Sequence, residues 1–171
     1  MKKIILIGCP GSGKSTMSFV LEQMLEYPVL HLDKIYHIDN NTHISREELV
    51  QKVETFAKNN ECWIIDGNYI STIEQRIILA DTIILLDIDT DICIQNAIDR
   101  SKKERGEDMA EGFDNSKLQD GFIDFIKKFK NDSLPKIMAL LEKYKNKNIF
   151  IFKNYQEINE FLEKINENYI N

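Results

Sequence analysis

Five short apolar runs punctuate the chain, at residues 4–7, 29–32, 62–65, 82–88 and 149–152. They are rich in Ile, Val and Phe and show little alternation, the pattern of strands covered on both faces of a parallel sheet. Between them, apolar positions recur at helical spacing. Met17, Val20, Leu21, Met24 and Leu25 form one stripe, and Leu49, Val53 and Phe56 a sparser one. Leu118, Phe122, Phe125, Ile126 and Phe129 form a third, and Ile158, Phe161, Leu162 and Ile165 a fourth. Strand alternating with helix predicts an α/β fold: a five-stranded parallel sheet with helices on both faces, joined by right-handed crossovers. Two stretches break the rhythm. Residues 33–61 are long for one crossover and hold the polar turn Asp39-Asn40-Asn41-Thr42, and residues 100–116 are dense in charge without an apolar stripe. Long polar excursions from a compact domain are more often functional loops than scaffold.

The length, 171 residues, suits a single domain over 1–171. With 22 Lys and Arg against 28 Asp and Glu, the net charge is −6. Neutralising a phosphate backbone takes a surplus of bases, so direct contact with nucleic acid is not expected. The run at 4–7 is too short for a secretory core or a membrane helix, and no membrane association is expected. Cys9, Cys62 and Cys93 are odd in number and far apart, and with His31, His37 and His43 they complete no zinc spacing. A reduced, cytoplasmic setting follows as the expectation.

The sharpest chemical signal is Gly8-Cys9-Pro10-Gly11-Ser12-Gly13-Lys14-Ser15, a full G-x-x-x-x-G-K-[ST] match that follows the first strand and opens the first helical stripe. In this setting Gly8, Gly11 and Gly13 let the backbone curl so that N–H groups point inward, and the helix dipole adds positive potential. Gly11, Ser12, Gly13, Lys14, Ser15 and Thr16 are the expected phosphate contacts, with Lys14 on the β- and γ-phosphates and the Ser15 hydroxyl on Mg²⁺. Trp63-Ile64-Ile65-Asp66-Gly67 sets Asp66 at the carboxyl end of a strand, where open α/β sheets bind ligands. There it serves either as a second Mg²⁺ position or as a cap for the next helix.

These segments, together with His31-Leu32-Asp33-Lys34-Ile35-Tyr36, Asp66-Gly67-Asn68-Tyr69, Ala80-Asp81-Thr82, Arg100 and Asp108-Met109-Ala110-Glu111-Gly112, resemble the adenylate-kinase-like P-loop kinases over nearly the whole chain. Within them the Asp-Gly-Asn-Tyr segment resembles the group labelled DNA-topology-modulation proteins. The resemblance implies Mg-ATP-dependent phosphoryl transfer to a small-molecule or nucleotide-like acceptor, with an acceptor-binding insertion at 33–61 and a lid at 100–116. Arg100 then falls where such kinases place an arginine on the transferring phosphates, and Arg105 is a second lid arginine or part of a solvated charged turn. Asp33 is read either as the acid facing the acceptor hydroxyl or as a helix cap. The adenine is expected near Lys153-Asn154-Tyr155.

Adenylate kinases carry arginines three places after the second-strand acid and four after the third-strand acid; this chain has Tyr36 and Ile70. A monophosphate without a guanidinium fork loses its strongest bonds. Either Arg46 or Arg76 substitutes, or the acceptor is not AMP, and the second reading is preferred. The alternative function is a nucleotide-binding regulator of DNA topology. A signalling GTPase is less consistent, since Asn146-Lys147-Asn148-Ile149 lacks the aspartate of the guanine-reading motif.

Overall fold

The computed structural model describes residues 1–38, 42–102 and 121–169. Strands β1 (Lys3–Gly8), β2 (Val29–His31), β3 (Trp63–Asp66), β4 (Thr82–Leu86) and β5 (Asn148–Phe152) form one sheet in the order β2-β3-β1-β4-β5, with every neighbouring pair parallel. The three central strands are the core. Ile4 to Ile7, Trp63 to Ile65 and Ile83 to Leu86 have no exposed surface, and each such side chain contributes roughly 1.5–3 kcal/mol by leaving water. The expectation that all five strands are covered on both faces holds only for these three. β2 and β5 lie at the edges and are partly exposed.

The helices are α1 (Lys14–Leu25), α2 (Leu32–Tyr36), α3 (Arg46–Asn59), α4 (Ile73–Leu79), α5 (Thr90–Ser101), α6 (Phe122–Asp132), α7 (Leu134–Lys143) and α8 (Tyr155–Tyr169), with a 3-10 turn at Ile70–Thr72. α1 packs on β1, β2, β3 and α8, whereas α5, α6 and α7 pack in succession. The ends of these helices follow local chemistry. α1 starts directly after Gly13 and stops at Glu26, whose φ of 56° is left-handed, two residues before Pro28. The Ser45 hydroxyl caps α3 by accepting the Glu48 N–H at 3.0 Å. The Asp89 carboxylate does the same for Asp91 on α5.

Apolar runs overestimated two strands. β2 ends at His31 because Leu32 is already helical, and β4 ends at Leu86, although Ile88 stays apolar because it packs in the core at 2% exposure. Asp33 is therefore not at a strand end. It sits in the first turn of α2, and it is not that helix's cap, a position held by His31. The 33–61 insertion consists of α2, a connection and α3. Of the 100–116 stretch, Arg100 and Ser101 close α5, and residues from 103 on lie outside the described residues.

Candidate functional site

β1 runs into the loop Gly8 to Gly13, which bends onto the amino end of α1. Gly11 and Gly13 take φ of 81° and 96°. A Cβ on Gly11 would lie 2.2 Å from the Cys93 carbonyl oxygen, so the loop touches α5 at a place only glycine permits. The Ser12 N–H donates to the Cys9 carbonyl at 3.1 Å, and Lys14 Nζ donates to the same oxygen at 3.0 Å. From outside, Asn96 of α5 donates to the Gly11 carbonyl at 2.9 Å and to the Tyr155 hydroxyl at 2.8 Å. The first N–H groups of α1, on Lys14, Ser15 and Thr16, have no partner within the helix, as in any helix first turn. With Lys14 beside them they are donors of the kind that anions take at a helix start. Arg100 follows Asn96 by one turn and so shares its face of α5; it is half-buried. Arg105 lies outside the described residues.

Asp66 is the last residue of β3, in register with His31 of β2, and its side chain is 6% exposed. Its Oδ2 meets His31 Nδ1 at 3.2 Å and accepts from the Ser18 hydroxyl at 3.4 Å. The same single O–H lies 3.0 Å from the Ser15 carbonyl, so the Ser18 hydroxyl, shared between the two oxygens, sits between Asp66 and the first turn of α1. His31 is thus a largely buried histidine satisfied by a carboxylate. Asp66 caps no helix. A hydroxyl and a carboxylate are hard oxygen donors of the kind Mg²⁺ takes alongside phosphates and water. No group of three or more His, Cys, Asp or Glu side chains able to hold a metal occurs among the described residues.

On the far side of Asp66, the Tyr69 hydroxyl donates to Asp33 Oδ1 at 2.7 Å. Burial and the Asp33 carboxylate both push this phenol far above its ordinary value, so it remains a donor. The Tyr36 ring lies 4.6 Å from Tyr69 and stacks on His43 at 4.6 Å. His37 and His43 pair across an antiparallel bridge, and burial lowers His37. Arg76 is wholly buried on α4. It donates to the carbonyls of Gly67, Asn68 and Tyr69 at 2.7, 2.8 and 3.1 Å. Burial lowers the guanidinium to about 10, opposed by the charge of Asp66. Arg46 donates to the Ser71 carbonyl at 2.9 Å. The two arginines weighed as monophosphate clamps therefore hold backbone. Buried side-chain atoms without a partner among the described residues are Ser12 Oγ, Asn68 Oδ1, Arg76 Nε and Trp63 Nε1. All but the last belong to the phosphate loop, the turn after β3 and its arginine. Sequence reasoning missed Asn96, which carries no motif, and the structural task of Arg76, which the spacing of Asp66 and Arg76 does not disclose.

No protein-family model and no curated protein matches the chain. Solved structures do. A shikimate kinase from Acinetobacter baumannii in complex with shikimate matches 96% of this chain and 90% of its own, at 13% identity and a TM-score of 0.62. A deoxyadenosine kinase from M. mycoides with bound dATP matches 97% and 100%, at 16% identity and a TM-score of 0.59. A shikimate kinase from Bacteroides thetaiotaomicron matches 96% and 95%, at 17% identity and a TM-score of 0.53. The chain has the fold of nucleoside-monophosphate-kinase-like P-loop kinases. No helix among the described residues is long and apolar enough to cross a membrane.

Proposed function

We propose that this protein is an ATP-dependent phosphotransferase that moves a phosphoryl group to a hydroxyl of a small-molecule acceptor. The observation that carries the reading is the placement, along one sheet edge, of the glycine cradle after β1, Asp66 at the end of β3 and the Asp33–Tyr69 pair just past β2. Two strand spacings, about 10 Å, separate the first from the last, enough for a triphosphate tail and an acceptor end to end.

In this reading the N–H groups from Gly11 to Thr16 and the Lys14 ammonium hold the phosphates, and Ser12 Oγ finds there the partner it lacks among the described residues. Ser15 and Asp66 would hold Mg²⁺, directly or through its water. When bound, the ion neutralises charge on the β- and γ-oxygens. Arg100 stabilises charge on the moving group, joined by Arg105 from the lid at 100–116. Asp33, its geometry fixed by Tyr69, accepts or orients the acceptor hydroxyl proton. Tyr155, bonded to Asn96 beside Gly13, would face the base in this reading. The narrower kinship with the DNA-topology-modulation group is proposed on Asp66-Gly67-Asn68-Tyr69 alone. A role on DNA itself loses its support if duplex is not retarded at low ionic strength. A reduced, cytoplasmic setting accords with three cysteines that form no disulfide.

Calorimetry with a non-hydrolysable ATP analogue tests the core of the reading. Lys14→Ala is expected to weaken binding by about 100-fold or more while the apo melting temperature stays within a few degrees. Arg100→Ala is expected to lower kcat more than ATP affinity. Wild-type affinity in Lys14→Ala overturns the assignment.

A further inference from the structure

If the protein is a phosphotransferase, the groups around Asp33 define what it can accept. The turn after β3 and the helix α2 supply hydrogen-bond acceptors. Asp33 has one carboxylate oxygen on the Tyr69 hydroxyl and several lone-pair sites beyond that bond. Asn68 Oδ1, on the same turn, is buried with no donor facing it among the described residues. A buried, unmatched carbonyl oxygen is costly, and a ligand N–H or O–H relieves the cost while a ligand oxyanion increases it.

Among the described residues, the two arginines beside this turn are bonded to backbone carbonyls. Arg76 is fully buried behind the turn with its terminal nitrogens on three carbonyls, and Arg46 is bonded to Ser71. Residues 33–61 hold six carboxylates and only four cationic side chains, of which Lys34, Lys52 and Lys58 are exposed on α2 and α3. Tyr36 and Ile70, where a phosphate clamp would stand, instead pack against the core. What Tyr36 and Tyr69 offer is ring surface and hydroxyls, flanked by His43 and by His37, whose imidazole burial pushes down.

We propose that the acceptor is an uncharged polyhydroxylated ring compound of the nucleoside or sugar type, recognised as a hydrogen-bond donor by Asp33 and Asn68, and not a phosphate ester or carboxylate. This rests on the phosphotransferase reading and narrows it. One hydroxyl of the acceptor attacks the γ-phosphorus of ATP; the bond to the β–γ bridging oxygen breaks, ADP leaves, and the hydroxyl proton passes to Asp33.

The test measures ADP release and product mass with ATP and four sets of acceptors: ribo- and deoxyribonucleosides, free pentoses and hexoses, the matching 5′-monophosphates and sugar phosphates, and hydroxylated carboxylic acids. At least one uncharged compound is expected to exceed its own phosphorylated form by about 100-fold in kcat/KM, the cost of placing an anion against unmatched acceptors. The nucleoside and free-sugar arms separate the two sources. Tyr36→Arg is expected to shrink this preference by tenfold or more with the KM for ATP unchanged, because it restores a guanidinium. Turnover confined to phosphorylated or carboxylated acceptors overturns the inference and leaves the phosphotransferase standing. Lys14-dependent ATP binding with no turnover of any uncharged acceptor also overturns it. ATP binding indifferent to Lys14→Ala, with no transfer at all, overturns the parent reading instead.

Discussion

Arg76 is the residue whose removal tests most directly how the site is built. In Arg76→Met the apolar volume is roughly kept and the guanidinium lost. Three charged donors disappear from the carbonyls of Gly67, Asn68 and Tyr69, at 2.7, 2.8 and 3.1 Å. Each such bond contributes roughly 1.5–3 kcal/mol. Against this stands the cost of burying the charge, seen in a guanidinium lowered from 12.5 to about 10, which corresponds to about 3 kcal/mol. The bonds exceed the burial cost, and the net loss is expected at about 3–5 kcal/mol, the usual result of removing one partner from a buried charged network. For a chain of this length that lowers the melting temperature by roughly 10 °C. Trp63, the only tryptophan and fully buried on β3, provides the probe: urea unfolding followed by its fluorescence reads the loss directly. Arg76→Lys keeps the charge, but one ammonium cannot reach three carbonyls in a row, so its loss should fall between wild type and Arg76→Met. A loss below about 1 kcal/mol in Arg76→Met would refute the idea that the arginine fastens the turn.

Two further substitutions probe the donor side and the frame. Gly11→Ala forces a side chain into a backbone at φ 81° and sets its Cβ 2.2 Å from the Cys93 carbonyl oxygen; ATP-analogue affinity measured by calorimetry is expected to fall by tenfold or more, and wild-type affinity would mean the loop is free of α5. Asp81 accepts the N–H groups of Lys2 and Lys3 and the Thr82 hydroxyl, joining the start of β1 to β4. Burial pushes its carboxyl up, but these bonds outweigh burial and hold it below the ordinary 3.8. Its contribution is therefore complete above that value and lost as the pH falls through the lower folded one. Asp81→Ala should cost about 1–2 kcal/mol in urea at pH 7 and progressively less towards pH 2, and a loss independent of pH would contradict this.

What could be read from the residues alone divides along physical lines. The strand–loop–helix unit at the start of the chain was legible because a short apolar run, a glycine-rich turn and an amphipathic stripe follow one another there, and α1 begins at the Lys14 expected to open it. The central strands were legible because burial on both faces leaves an unbroken apolar run. Periodicity was silent where helices are short or capped by polar groups. α2, α4, α5 and α7 carried no stripe that separated them from their surroundings, although Asp89 and Pro135 stand at the starts of α5 and α7. The positions of Asp33 and Arg76 were illegible for a different reason. Their places depend on contacts across the sheet edge, Asp33 with Tyr69 and Arg76 with three carbonyls, which no local pattern encodes. A lone arginine in a helix reads as surface, and this one has no exposed surface.

The same contacts hold the Asp66-Gly67-Asn68-Tyr69 segment tightly in place. Gly67 donates its N–H to the Leu6 carbonyl of β1 at 3.3 Å, the strand that ends in the phosphate loop. Its carbonyl is held by Arg76 at 2.7 Å. Its α-carbon, at φ 143°, lies so near α2 that a Cβ would come within 2.7 Å of the Leu32 Cβ. Leu32 is fully buried and immediately precedes Asp33. One glycine therefore links β1, the buried guanidinium and the helix that carries Asp33. A side chain at 67 would have to push Leu32, and with it Asp33, away from Tyr69 and from the cradle. Phosphoryl transfer is sensitive to displacements of about 1 Å between attacking oxygen and phosphorus. In the proposed reading, the close packing of Gly67 on Leu32 would set the distance between Asp33 and the loop after β1, and Arg76, bonded to the Gly67 carbonyl, would hold the turn that keeps it.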